Sequence, residues 1–179
     1  MIEKLTNKNT STPVMKQYWE SKRSYPDSIM LFRMGDFYET FEEDAILTSK
    51  ILGITLTKRA NGAASSVPLA GFPYHSLERH IYKLLDAGHK IAICEQIEDP
   101  KILKGIVKRA VVEVLTPGTA IESKYLKNEK NNFLVSLYFK DNQLGFSIID
   151  NSTGEFFCGK SHIFNLNDIL KRYEIREIL

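Results

Sequence analysis

The sequence predicts a mixed α/β fold, in which a mixed β-sheet domain covered by helices precedes the start of a second sheet domain. Helical segments alternate with short apolar strand-like runs over residues 12–117. A polar stretch without periodicity follows at 118–130, and three strand-like runs and one helix follow that. These observations divide the chain into a flexible N-terminus at 1–11, a first domain at 12–117, a linker at 118–130 and a partial second domain at 131–179.

The first predicted element is a helix that begins at Thr12-Pro13. A threonine suits the cap position, and proline suits the first turn, where its missing N–H costs nothing. Helical spacing then places four large side chains on one face, namely Val14, Met15, Tyr18 and Trp19. That face is expected to pack against the sheet.

Two further helices are predicted in the first domain. One spans Phe41–Leu52, carries acidic residues at 42–44 in its first turn, where the helix dipole favours anions, and ends at Gly53. The other spans Ser76–Ala87 and ends at Gly88. Its apolar positions fall on one buried face, made of Leu77, Ile81, Leu84 and Leu85.

Apolar runs between these helices predict the strands of the first sheet. They are Ile29–Arg33, Ile54–Lys58, Lys90–Ile97 and Val107–Leu115. The Gly- and Ser-containing stretch at 61–66 is expected to be a loop.

The second domain is predicted to begin with three strands and a helix. The strands are Phe133–Phe139, Gln143–Ile149 and Glu155–Cys158, and the helix spans Leu166–Tyr173. Turn residues stand between the strands at 141–142 and 152–154. The order β-β-β-α suggests the opening of an RNase H-like fold, and the last residues, 174–179, are typical of a strand that is just beginning.

Composition favours a soluble intracellular protein. The chain is 43% hydrophobic and 26% charged, with a net charge of +2 that is too small to indicate nucleic-acid binding by itself. It contains neither an apolar run of about 20 residues nor a signal-peptide core, so we expect a cytoplasmic, nucleoid-associated protein without membrane partners. Cys94 and Cys158 each lie in an apolar run and are expected to be buried, reduced thiols.

The pentapeptide Gly35–Glu39 is the most informative motif. If this stretch is extended, residues two apart point to one side, so Phe37 and Glu39 project together while Tyr38 turns away. A ring able to wedge between stacked bases would then lie beside a group able to hydrogen-bond the displaced base. Packing of Phe37 in the core, with Glu39 at the edge of the next helix, is the alternative.

Six short sequence motifs, in this order and spacing, resemble the mismatch-recognition domain of the MutS family of DNA repair proteins. They occupy residues 11–18, 31–39, 54–59, 68–75, 93–100 and 115–119. The resemblance covers nearly the whole chain: residues 12–120 look like the mismatch-binding domain, and residues 131–179 look like the start of the connector domain that follows it.

The resemblance implies a set of DNA-binding residues. The family residues that match Phe37 and Glu39 enter the minor groove at a mispair, and the residue that matches Met34 lies close to the same groove. Arg59 is the favoured phosphate contact and Arg109 the second, although ordinary packing of Met34 and solvated surface charge remain alternatives. The implied partners are double-stranded DNA with mispairs or small loops, a second copy of the parent protein, and downstream repair proteins.

The resemblance also implies that this chain is an N-terminal fragment, since MutS-like proteins continue into clamp, lever and ATPase segments. ATP and Mg²⁺ are implied only for that ATPase. We therefore expect no catalytic, cofactor-binding or metal-binding residues here, and weak DNA binding by the chain alone. The residues 154–161 match the phosphate-binding loop pattern GxxxxGKS, but their interior is aromatic and strand-like, which argues against a nucleotide site.

Two other classes of function remain open from the sequence. A metal-dependent nuclease is one, because Asp36, Glu39 and Asp44 are clustered and an RNase H-like start places Asp150 on a strand. The four histidines, at 75, 80, 89 and 162, show no ligand spacing that supports a metal site. A protein-interaction module without independent DNA binding is the other.

Overall fold

The computed structural model describes residues 12–61, 64–98, 105–120 and 131–179, which contain both helices and strands. The elements of the first domain are α1 Pro13–Ser24, β1 Ser28–Met34, β2 Phe37–Phe41, α2 Glu42–Leu52, β3 Thr57–Asn61, β4 Ala64–Pro73, α3 Leu77–Asp86, β5 Lys90–Gln96 and β6 Arg109–Leu115. Those of the second are β7 Phe133–Lys140, β8 Gln143–Asp150, β9 Phe156–His162, α4 Leu166–Arg172 and β10 Glu177–Ile178.

The strands form two sheets, and the mixed α/β class is confirmed. The first sheet has the order β3-β4-β2-β1-β5-β6, in which β1 and β5 are parallel and the other neighbours are antiparallel. The second sheet has the order β10-β7-β8-β9, with β10 parallel to β7. The order β-β-β-α predicted for the second domain is present, and β10 completes its edge.

Helices cover the first sheet on two sides because its strands bury side chains in both directions. On one side, Met15 and Tyr18 of α1 pack against Phe32 and Phe41. On the other, a second buried cluster joins α3 to the sheet through Ile81, Leu84 and Leu85, with Ile29, Leu31, Tyr38, Phe72, Ile91 and Ile93. The sheet is thus packed on both faces, and side chains at its end remain open to solvent.

The three helices predicted in the first domain are present with small shifts at their ends. α2 begins at Glu42 rather than Phe41, because Phe41 is the last residue of β2. Gly53 ends α2 at a φ of 69°, which glycine adopts without strain. No helix in the described residues is long and apolar enough to cross a bilayer.

The strand and loop boundaries between α2 and α3 were predicted wrongly. β3 begins at Thr57 rather than Ile54, because Ile54 packs on the core and its carbonyl accepts a hydrogen bond from Ser49 Oγ at 2.6 Å. The predicted loop at 61–66 is instead largely strand, apart from residues 62–63, which lie outside the described residues. Antiparallel pairing of Ala64 with Asn61 of β3 makes this stretch extended despite its small and polar residues. The rest of β4, up to Pro73, was not predicted as a strand either.

Two predictions on the second sheet also need correction. β9 continues to His162, beyond the predicted end at Cys158, because its pairing with β8 runs through Lys160 and Ser161. Cys158 is exposed rather than buried, since it lies on the edge strand of this sheet, whereas Cys94 is buried as expected. Both thiols are free.

The described part of the predicted linker packs tightly between the two domains. Ala120 is fully buried in the core of the first domain, and Gly118 N–H donates to Glu177 Oε2 at 2.9 Å. A Cβ at Gly118 would lie 2.9 Å from the Cβ of Glu177, so this close approach requires glycine. An ion pair between Arg176 and Asp86, with N and O 2.8 Å apart, adds a second link between the domains. Residues 121–130 of the predicted linker lie outside the described residues.

Asp44 should be the most sensitive polar position in the core of the first domain. Its carboxylate is buried and pairs with Lys22 Nζ at 2.9 Å, while Met30 N–H and the Tyr18 hydroxyl donate to it at 3.0 and 3.3 Å. Asp44→Ala leaves all three donors without this partner, so we expect a loss of about 3 kcal/mol in the free energy of unfolding.

Urea unfolding of both proteins measures this loss. Glu43→Ala is the matched control, because Glu43 lies in the same helical turn but is exposed. Its effect should be within about 0.5 kcal/mol. A similar small effect for Asp44→Ala would show that the buried network does not stabilise the fold.

Candidate nucleic-acid interface

A tight turn places Phe37 at the end of the first sheet. Met34 and Phe37 face each other in the β1–β2 hairpin, so only Gly35 and Asp36 connect the strands. Gly35 has a φ of 57°, which a two-residue hairpin turn readily accommodates when glycine is present. Phe37 is 46% exposed and Tyr38 only 2%, as the two-residue period of a strand predicts. The ring of Phe37 is therefore accessible to a ligand.

Glu39 lies beside Phe37 and carries an ion pair. Arg59 Nη1 of β3 donates to Glu39 Oε2 at 2.7 Å, and the Glu39 side chain is 19% exposed. Phe37 and Glu39 line one open depression of about 530 Å³, together with Gly53, Ile54, Thr55, Thr57, Leu69 and Gly71. The aromatic and acidic residues of the motif thus reach the same surface.

Gly71 makes room for Glu39. These two residues are partners in the β2–β4 ladder, and a Cβ at Gly71 would lie 3.0 Å from the carbonyl oxygen of Tyr38 and 3.3 Å from Cγ of Glu39. Gly71 was not predicted as a site residue, although it lies within the motif at 68–75. Its signal was a glycine inside a strand, which often marks a close approach of neighbouring groups.

Burial and positive charge act in opposite directions on Glu39. Burial raises the pKa of Glu39, the charges of Arg59 and Arg109 lower it, and the net direction is upward. The carboxyl group is therefore easier to protonate than a solvated glutamate. Such a group can act as a hydrogen-bond acceptor when charged and as a donor when protonated.

Arg109 occupies a fixed position on β6. Its Nε donates to the Arg33 carbonyl at 2.7 Å and its Nη1 to the Val107 carbonyl at 2.9 Å, while its guanidinium lies 5.2 Å from the centre of the Phe32 ring. Burial lowers the pKa of Arg109. Two of its five N–H groups are thus engaged with the backbone, and the second N–H of Nη1 and both N–H groups of Nη2 remain for a phosphate contact.

Met34 and two neighbouring side chains complete this end of the sheet. Met34 is partly buried against the α1 core cluster. Tyr74 is 47% exposed, and the guanidinium of Arg33 lies 4.1 Å from the centre of its ring. The Tyr74 N–H donates to the Asp36 carbonyl at 2.9 Å, which ties this second aromatic residue to the turn before Phe37. Arg33 and Tyr74 were not predicted as site residues, although both lie within the motifs at 31–39 and 68–75.

The carboxylates of the nuclease alternative do not form a common site. Asp44 is engaged in the core network described above, and Asp150 accepts hydrogen bonds from Ser152 N, Ser152 Oγ and Asn132 N. Burial raises the pKa of Asp150, but these hydrogen bonds outweigh it and lower the pKa overall. Within the described ranges, no group of three or more His, Cys, Asp or Glu residues could hold a metal ion.

The stretch that matches the phosphate-loop pattern is an edge strand. Residues 156–162 pair with β8, and Gly159 faces Phe146, whose ring would lie 2.8 Å from a Cβ at that position. A phosphate-binding loop needs a compact turn whose N–H groups converge on the ligand. The extended backbone of β9 does not provide one.

Fold and site together define a mixed α/β domain that presents an exposed phenylalanine and an ion-paired glutamate at one end of its sheet. The family model described as MutS domain I matches residues 12–124. The chain therefore belongs to the MutS domain I family.

Curated relatives from bacteria match nearly the whole chain. It is 49% identical over 175 residues to the DNA mismatch repair protein MutS of Phocaeicola vulgatus, covering 98% of this chain and 20% of the relative. The proteins of the same name from Porphyromonas gingivalis and Flavobacterium johnsoniae are 50% and 51% identical over 168 residues, covering 94% of this chain and 19% of each relative. The chain thus spans about a fifth of the length of these relatives.

Proposed function

We propose that this chain senses mispaired DNA for a DNA mismatch repair protein, without catalysing a reaction itself. The observation that carries the proposal is the exposed ring of Phe37, held at the end of a rigid sheet beside Glu39. The relatives described above are DNA mismatch repair proteins, which supports the same role. The partner is double-stranded DNA that contains a mispair or a small loop.

The ring acts as a wedge that tests how easily the duplex deforms. Inserting an aromatic side chain between base pairs from the minor groove costs a few kcal/mol of stacking and kinks the duplex. A mispaired step costs less to open, and stacking on the ring returns roughly 1 to 3 kcal/mol whatever the base. Phe37 therefore responds to local weakness of the duplex rather than to its sequence.

Glu39 discriminates between a mispaired base that Phe37 displaces and an intact base pair. A carboxylate near the DNA backbone is repelled by phosphates, which penalises binding to an intact duplex that offers it no hydrogen bond. At a mispair it can accept a hydrogen bond from a displaced base, or donate one after taking up a proton. The raised pKa of Glu39 makes that protonation easier.

The other predicted DNA-binding residues hold the domain on the duplex while Phe37 is inserted. Arg59, whose side chain is 36% exposed, contacts a phosphate, and Arg109, whose Nε already donates to the Arg33 carbonyl, makes a second contact. Met34, which pairs with Phe37 across the hairpin, lies close to the minor groove in this arrangement. For the full-length gene product we also propose two further partners, a second copy of itself and downstream repair proteins. We propose that it works in the cytoplasm, in association with the nucleoid.

A binding assay with three duplexes tests the proposal. The full-length product of the gene that encodes this chain is mixed with a matched duplex, a duplex with one G·T mispair, and a duplex with one unpaired base. We expect about tenfold tighter binding to the two defective duplexes, which corresponds to the stacking energy of one ring. Equal affinity for all three in a mobility-shift assay would contradict a mismatch-sensing role.

A further inference from the structure

Glu39 and Arg59 form an ion pair that the DNA backbone is placed to open. The two residues stand on β2 and β3, and β4 lies between those strands, so the pair crosses a neighbouring strand. It can do so because Gly71 of β4 has no side chain beneath Glu39. The separation of 2.7 Å between Nη1 and Oε2 shows a direct contact.

The pair is unequally exposed. The side chain of Arg59 is 36% exposed and that of Glu39 is 19% exposed. The side chain of Arg59 therefore offers an anion in solvent more accessible surface than the side chain of Glu39 does. Guanidinium groups bind phosphate through two parallel hydrogen bonds, which makes a DNA phosphate a strong competitor for Arg59.

The pair is also weak enough to open. Ion pairs that are this exposed to solvent contribute about 1 kcal/mol or less, so one good phosphate contact is sufficient to replace it. Arg109 does not take the place of Arg59, because its Nε and Nη1 donate to the carbonyls of Arg33 and Val107. Once Arg59 has moved, Glu39 keeps its partly buried position without its direct counter-ion.

We propose that Arg59 masks the charge of Glu39 in the free protein, and that a backbone phosphate captures Arg59 and unmasks the carboxylate only when the domain is seated on DNA. The inference rests on the proposed function and adds a positioning role for Arg59. Masking reduces the repulsion between the domain and the duplex while the protein approaches DNA. Unmasking then lets the Glu39 carboxylate discriminate between matched and mispaired duplex once the domain is bound. Arg59 and Arg109 are the charged groups that act on Glu39.

The masking step is tested on the free chain, without DNA. NMR titration of the Glu39 carboxyl in wild type, Arg59→Met and Lys58→Met gives the pKa directly. We expect the pKa of Glu39 to rise by about 1 in Arg59→Met, because an adjacent opposite charge is lost. Lys58→Met is the matched control, since Lys58 is exposed and adjacent in β3, and it should leave that pKa unchanged. Arg59→Lys should restore part of the shift, and an unchanged pKa in Arg59→Met would overturn the masking role.

The unmasking step is tested with the full-length product and the G·T duplex. Addition of the duplex should raise the pKa of Glu39 in wild type and change it much less in Arg59→Met. The logarithmic salt dependence of binding should fall by about 0.9 in Arg59→Met if Arg59 neutralises one phosphate. An unaltered salt dependence would overturn the capture of Arg59.

The two arms separate this inference from the proposed function. If the wild type binds matched and mismatched duplexes equally, the mismatch-sensing role fails, while the free-chain titration still reports on the ion pair and the salt dependence still reports on the capture of Arg59. If the mismatch preference is intact but the pKa of Glu39 is the same in wild type and Arg59→Met, the inference alone fails.

Discussion

Phe37→Ala is expected to abolish the preference for mispaired over matched duplex in the full-length gene product. The substitution removes the exposed ring at the end of β2 and with it the stacking that offsets the cost of opening a base step. Affinity for the G·T duplex should fall by roughly 1 to 3 kcal/mol, while affinity for the matched duplex changes little. Fluorescence anisotropy with both duplexes measures the two constants.

Two controls separate loss of the wedge from loss of the fold. Phe164→Ala removes an 85% exposed ring from the second domain and should leave the mismatch preference intact. Because Phe37 is itself half exposed, its replacement should change the free energy of unfolding by less than about 1 kcal/mol. Mismatch preference that persists in a folded Phe37→Ala protein would remove the wedge from the mechanism.

The relative orientation of Phe37, Tyr38 and Glu39 is the part of the site that the sequence predicts best. A strand alternates its side chains with a period of two, so an extended motif puts Phe37 and Glu39 on one side and Tyr38 on the other whatever surrounds it. The structure shows this alternation in exposure, with Tyr38 in the core. Local geometry determines which residues share a side, whereas the burial of Tyr38 and the exposure of Phe37 depend on what packs against each face of β2.

The helices were predictable for a similar reason. α1 and α3 each carry an apolar face at helical spacing and are bounded by residues that start or stop helices, such as Pro13 and Gly88. These signals lie within a few residues of one another. The predicted boundaries therefore differ from the observed ones by only one or two residues.

Contacts between distant segments could not be predicted in this way. β4 was missed because its first residues are small or polar, and pairing with β3 along its first part and with β2 along its last part makes it a strand. The ion pair of Arg59 with Glu39 joins residues 20 positions apart on strands that are not neighbours. The close packing of Gly71 on Glu39 depends on the same strand order. Sequence spacing contains no direct signal for any of these contacts.

That arrangement decides the consequence of changing Glu39. Glu39→Gln is expected to tighten binding to matched duplex by about 1 kcal/mol and to reduce discrimination, because the variant keeps the shape of the side chain but not its repulsion from phosphates. The glutamine oxygen can still accept a hydrogen bond from Arg59, so the local geometry should be preserved. Parallel titrations of matched and G·T duplexes measure both effects.

The dependence on salt and pH distinguishes repulsion from other causes. The gain in Glu39→Gln should shrink at high salt, where charges at a surface are screened. It should also shrink as the pH falls, because burial raises the pKa of Glu39 and the wild-type carboxylate then loses its charge more readily. Glu43→Gln, an exposed carboxylate on α2, is the control for a general change in net charge and should give a smaller gain. If Glu39→Gln leaves matched-duplex affinity unchanged at low salt and neutral pH, repulsion by Glu39 does not contribute to discrimination.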